Sequence, residues 1–223
     1  EVYKHLKDKN DNWIERGDAF IRHRNKQGVM AGGVSIGFTG YGSMKSRHHI
    51  GPELQIGHRL GDHFEEPVLL IKTAWGGKSI YKDFRPPSAG GETGEYYQRM
   101  LMEVDEALKN YQEEFPVLKG MKPKWGGFIW FQGWNDMFNQ DALAQYEENL
   151  VHLIKDLRTR LNQPNLPVVV GELGNMGENA GTNMKLIREA QRKACQRKEW
   201  KGRVSFVKTT NFARPKEESP NVG

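Results

Sequence analysis

The chain has one cysteine, Cys195, so no disulfide can form within it. Cys195 falls in a helical pattern rich in lysine and arginine, which suits a packing residue better than a nucleophile. No apolar run approaches the roughly 18 residues of a membrane span, so no membrane partner is expected. No basic-then-apolar leader opens the sequence; if the protein is exported, its signal lies outside the residues given. Apolar residues make up 37% of the 223, fewer than is usual. They are gathered in short blocks, which still allows a buried core. The basic excess is small, 33 against 28 acidic residues, and is scattered. A nucleic-acid footprint needs a denser stripe with motif support, so no nucleic-acid partner is expected. No repeat or low-complexity tract occurs. The nearest match to a phosphate-cradling loop, Gly77-Lys78-Ser79, has Lys72 where the leading glycine is required. His48, His49 and Glu53 lack the i, i+4 spacing of helical zinc ligands. Neither a metal nor a cofactor is therefore expected.

What the chain does have is alternation. Apolar, β-branched or aromatic runs at 68–74, 128–131, 167–171 and 203–208 read as strands. Between them, periodic stripes predict helices over 95–115, 142–161 and from Asn183, taken as an N-cap. An earlier helix is expected over 52–63, opened by Pro52. Tyr97, Leu101, Val104, Leu108 and Tyr111 form the expected buried stripe of the long helix. Residues 81–94 carry Pro86-Pro87 and Gly90-Gly91 and read as a long loop. Val34, Ile36 and Phe38 alternate in a hairpin-like way. Residues 1–27 are strongly polar and read as a surface loop or short strand. No buried apolar strand is visible at the start of the domain. The pattern predicts an α/β fold, a single domain over 1–223 organised as a three-layer α/β/α sandwich with a mainly parallel sheet. A sheet without its first strand should expose an apolar gap, with weak stability or self-association as the consequence.

Two polar breaks follow the strand ends, Trp75-Gly76-Gly77-Lys78-Ser79 and Gln132-Gly133-Trp134-Asn135-Asp136. In open α/β sheets that edge is where ligands bind. Gly76 and Gly77 offer unobstructed backbone N–H groups, and Gln132 and Asn135 offer neutral amide donors. Such fixed donors suit an oxyanion hole, where charge develops during acyl transfer. A tight turn and a helix cap would use the same residue types, and both readings stand at this point.

The two blocks together resemble the sialate O-acetylesterase-like carbohydrate esterases of the SGNH hydrolase superfamily. Gly76-Gly77-Lys78-Ser79-Ile80 is similar to that family's Gly-Gly-[Thr or Lys]-Ser-Ile turn. Trp130-Phe131-Gln132-Gly133-Trp134-Asn135-Asp136 is similar to its Trp-x-Gln-Gly-x-x-Asp block and contains a G-x-N-D run. The resemblance covers roughly residue 51 onward. It implies the flavodoxin-like SGNH sandwich, an acetylated carbohydrate as substrate partner, and hydrolysis of its O-acetyl ester by a serine with a histidine base. It also implies an oxyanion hole from Gly77, with Gly76, and an amide. The family pattern favours Gln132 for the amide and the G-x-N-D spacing favours Asn135. Lys78, Trp134 and Asp136 would line the substrate cleft, with Asp136 holding its loop through backbone hydrogen bonds; His48 and His49, in the loop before the 52–63 helix, read equally well as cleft-lining or as surface histidines. Relatives are often exported.

The chain departs from the family at both ends of the triad. The Gly-Gln-Ser-Asn-type turn that carries the nucleophile is missing, and no D-x-x-H follows Phe212. The sequence therefore reads as the interior of a longer esterase, with nucleophile and base outside it and the piece itself inactive. Among resident residues, Ser35, Ser43 and Ser79 are the candidate substitutes; Ser79 beside Lys78 is the strongest, because lysine can activate serine. A non-catalytic carbohydrate-binding relative of the fold is the alternative.

Overall fold

A computed structural model of the protein describes residues 3–40, 49–214 and 218. The chain divides into two compact units, residues 1–76 with 100–123, and residues 77–99 with 124–223.

In the first unit, β1 (Ala19–Asn25) and β2 (Gly28–Gly33) form an antiparallel hairpin, with Phe20 opposite Gly33. Helix α1 (Pro52–His63) follows, and β3 (Val68–Lys72) then pairs in parallel with β1, Ala19 opposite Val68 and His23 opposite Lys72. One face of this sheet packs Ala19, Ile21 and Met30 with Leu54 of α1, Val34 and Phe38. The other packs Phe20 and Leu69 with Tyr111, Phe115 and Leu118.

The polar N-terminal stretch is thus corrected: residues 19–25 are a buried strand at the centre of their sheet. The reason is Arg22, which is 2% exposed. It points at α2 (Glu95–Glu114), the helix that runs out of the second unit into the first after its opening turn. Its Nη1, Nη2 and Nε atoms meet Glu103, Glu106 and Glu114 at 3.1, 2.7 and 2.9 Å. Burying an unpaired guanidinium would be prohibitive, whereas three carboxylates make it tolerable. The same pairing turns the buried stripe of α2, which runs through Tyr97, Met100, Glu103, Ala107 and Tyr111. The Val34, Ile36, Phe38 alternation is not a strand; the hairpin is the pair that precedes it, and Val34 and Phe38 plug the core from a loop.

In the second unit β4 (Phe128–Trp130), β5 (Val168–Gly171) and β6 (Val204–Val207) lie in that order, all parallel. Helices α3 (Gln140–Arg160) and α4 (Thr182–Cys195) supply the crossovers. Trp130, Val168, Val170 and Val204 are buried on one face, with Tyr146, Leu150, Ile154 and Ile187 from the helices also buried. On the other face Ile129, Phe131 and Val207 are exposed. The cap of α3 is Asn139, whose Oδ1 accepts from the Ala142 N–H at 2.9 Å. Asn183 does not cap α4, which starts at Thr182 after Gly181. Its Nδ2 instead donates to the Met137 carbonyl at 2.8 Å.

The α/β class and the mainly parallel pairing are as expected, three of the four strand pairings being parallel. Among the described residues no helix is long and apolar enough to cross a membrane.

Candidate active site

Both glycines of the first break stand where a side chain would interfere little with an approaching ligand. Gly76 has open space where a Cβ would be, and Gly77 has a φ of +75°, a conformation glycine adopts without strain. A methyl group built on Gly77 would meet only Asn135 Nδ2, at 3.9 Å. Asn135 is half-buried, and its amide makes no hydrogen bond to another described residue. It opens the 3-10 turn Asn135–Phe138 that follows β4.

Gln132 is placed otherwise. Its Nε2 donates to the Lys78 carbonyl at 2.9 Å and to Asp136 Oδ2 at 2.6 Å. Its own carbonyl accepts from the Tyr146 hydroxyl at 2.7 Å and from Gln191 Nε2 at 2.9 Å. Both amide hydrogens are therefore committed to holding the two breaks together. Gly133 makes this possible: a Cβ there would sit 2.8 Å from Ile187 Cγ2.

Asp136 is completely buried. Oδ2 accepts from the Ile80 N–H at 3.1 Å and Oδ1 from the Tyr81 N–H at 3.0 Å. With Gln132 included, every group facing it donates, which is the geometry of an ionised carboxylate acting as a loop anchor. Burial raises its carboxyl above the ordinary value, opposed by those hydrogen bonds.

Lys78 and Ser79 close on Asp83. Ser79 donates to Asp83 Oδ2 through both its N–H (2.9 Å) and its hydroxyl (3.1 Å), and the hydroxyl accepts from the Lys82 N–H at 3.1 Å. Lys78 Nζ lies 3.2 Å from Asp83 Oδ1 and 4.0 Å from the centre of the Tyr96 ring. Burial works against the Lys78 charge, but the Tyr96 and Asp83 contacts outweigh it and raise the ammonium's pKa. Both side chains are thus committed to Asp83, and Lys78 also to Tyr96, so they are spent on this turn and not on each other. Ser79→Ala is accordingly expected to cost about 1 kcal/mol of stability, read as a small drop in the urea midpoint.

Trp134 is exposed, with its ring in an edge contact with Phe138, centroids 6.0 Å apart. His49 is exposed in the first unit, its carbonyl accepting from the Gly37 N–H at 2.7 Å. Ser35 is buried in that unit. His48 and Ser43 lie outside the described residues. Cys195 is buried, which pushes its thiol up to about 12 and leaves it a packing residue. No group of three or more His, Cys, Asp or Glu among the described residues could hold a metal ion.

One pair was not anticipated from the sequence. Ser88 Oγ and His152 Nδ1 are 2.7 Å apart, the reach of a nucleophile and its base. However, Asp156 Oδ2 accepts the Ser88 backbone N–H (2.9 Å) and does not orient the imidazole. His152 also sits twelve residues into α3, roughly 18 Å along the axis from the end that follows Asn135. The pair ties the 81–94 loop to α3, alongside Arg85 Nη1 and Gln145 Oε1 at 3.3 Å. Nothing in the sequence spacing signals it, because the two residues are 64 apart.

Comparison with known proteins gives the site its setting. A protein of Arabidopsis thaliana, named as a probable carbohydrate esterase, is 27% identical over 146 residues, or 64% of this chain and 47% of that protein. The chain thus spans about half the length of this relative. The X-ray structure of the same Arabidopsis protein matches with a TM-score of 0.61 at 20% identity, over 89% of this chain and 75% of that one. A carbohydrate acetylesterase from Xanthomonas citri matches with a TM-score of 0.61 at 16% identity, over 90% and 44%. The two structures show a shared α/β fold. Residues 35–218 match the family described as carbohydrate esterase, sialic acid-specific acetylesterase, and with most of its length so matched the chain belongs to that family.

Proposed function

We propose that the chain forms the oxyanion-hole half of a carbohydrate O-acetylesterase. The observation that carries this reading is the uncommitted amide of Asn135 beside the glycine turn at Gly77, 3.9 Å from the position of an added methyl group. An acetyl carbonyl oxygen placed there would meet Asn135 Nδ2 and the Gly77 N–H as negative charge builds on it. Gln132 and Asp136 act one step removed, by fixing the turn that aims both donors. The substrate is an acetylated carbohydrate.

The reaction is acyl transfer. A serine Oγ attacks the ester carbon, the bond to the sugar oxygen breaks, and the histidine base returns the serine's proton to that oxygen. Water then releases acetate from the acyl-serine. We assign the serine and the histidine to none of the described residues. Supporting this, Ser79 is locked to Asp83, and the exposed Ser88–His152 pair lacks a carboxylate on its imidazole.

The test is acetate release from an O-acetylated oligosaccharide. The full-length protein should release it; the 223-residue chain should turn over neither that substrate nor p-nitrophenyl acetate above background. Turnover by the 223 residues that disappears in Ser79→Ala would overturn the placement of the nucleophile. A full-length protein that binds the glycan and releases no acetate would favour the non-catalytic binding reading.

A further inference from the structure

Two large rings stand in solvent on the turn that carries Asn135. Trp134 is 43% exposed and Phe138 70% exposed. Their rings lie 6.0 Å apart at 69° and form an angled apolar corner. Solvated aromatic rings forfeit the burial that normally stabilises them, and the pair could have packed inward only if the turn between them were free to rotate. It is not. Asp136, inside that turn, is bonded to the Ile80 and Tyr81 N–H groups. The Met137 carbonyl is held by Asn183 Nδ2 at 2.8 Å. Asn139, the residue after Phe138, is occupied as the cap of α3. The rings are thus presented outward on a backbone fixed at three successive points.

Their position along the chain gives them a use. Trp134 immediately precedes Asn135, the amide assigned above to the carbonyl oxygen, and Phe138 closes the same short turn. An ester held at Asn135 with its alcohol part directed along this turn would bring that part to the rings. A pyranose ring has one face made of C–H groups and a rim of hydroxyls. An aromatic plane suits the face, and an indole adds an N–H donor for the rim. An acyclic or small alcohol part has no such face.

We propose that Trp134 and Phe138 form a stacking subsite for the pyranose ring that bears the acetyl group, and so set preference for cyclic sugar esters over small alkyl acetates. This rests on the acetylesterase reading for its geometry, but it makes a separate claim about what recognises the sugar.

The experiment uses the full-length protein and compares an O-acetylated methyl pyranoside with ethyl acetate, which has no ring. In Trp134→Ala and in Phe138→Ala, the ratio of kcat/KM for the pyranoside to that for ethyl acetate should fall by about two- to ten-fold. The loss should come mainly through KM. Trp134→Phe, which keeps a ring, should recover most of the ratio. An unchanged ratio in both alanine variants overturns the subsite. If the wild type hydrolyses neither ester, the acetylesterase reading fails, and calorimetric titration with the deacetylated oligosaccharide decides the subsite. Binding by the wild type that is lost in Trp134→Ala keeps it; absence of binding by the wild type overturns it. If Trp134→Ala instead turns a dimer into a monomer in sedimentation while sugar binding persists, the corner is an interface between copies and the proposal falls.

Discussion

Asn135→Ala in the full-length protein is expected to lower kcat for acetyl-ester hydrolysis by about 10²–10³-fold, the usual cost of one oxyanion donor. Melting should change little. The Asn135 amide bonds to no other described residue, so its removal strands no partner, and the effect on stability should stay within about 0.5 kcal/mol. This split between rate and stability is the signature of a group whose work is done on the substrate. Initial rates of acetate release, paired with a thermal melt of the same preparation, measure it. A variant with near-normal kcat would remove Asn135 from the reaction. A variant that loses rate and melts early would make it a structural residue.

Asp136→Ala should do the opposite, with a large loss of stability first. The buried carboxylate satisfies the Ile80 and Tyr81 N–H groups and one amide hydrogen of Gln132. Alanine leaves three donors stranded in a site closed to water. Leaving such groups unsatisfied costs roughly 3–5 kcal/mol in all, allowing for partial relaxation. Activity should vanish with the fold of the turn, because the same bonds aim Gly77 and Asn135. Asp136→Asn should fall between wild type and alanine: it keeps one acceptor but points an NH₂ at a donor. Urea denaturation of the three proteins gives the order directly. Equal midpoints for wild type and Asp136→Ala would show that the carboxylate anchors nothing.

Much of this was legible in the sequence where the physics is local. The four strands from β3 onward and all four long helices follow from apolar blocks and 3.6-residue stripes, to within a residue or two. β1 was not legible, because Arg22-His23-Arg24 has the composition of a surface segment. Only carboxylates 81 to 92 residues away make it a core strand. A clue was present, since Glu103 sits on the inward side of α2 where an apolar residue would be expected. The site divides in the same way. The two glycine-bearing breaks were recognisable as blocks; Asp136, expected along the cleft, is instead completely buried and bonded to the Ile80 and Tyr81 N–H groups. Which of the two amides is uncommitted was not legible, because it depends on the Lys78 carbonyl, Tyr146 and Gln191, contributed by three other parts of the chain.

A crystal structure of the full-length protein with product acetate bound tests the central claim most directly. One carboxylate oxygen should lie 2.7–3.1 Å, the usual reach of such donors, from both Asn135 Nδ2 and the Gly77 backbone nitrogen, with Gln132 still bonded to Lys78 and Asp136. Acetate held elsewhere, or an Asn135 amide turned into the protein and bonded there, would contradict it.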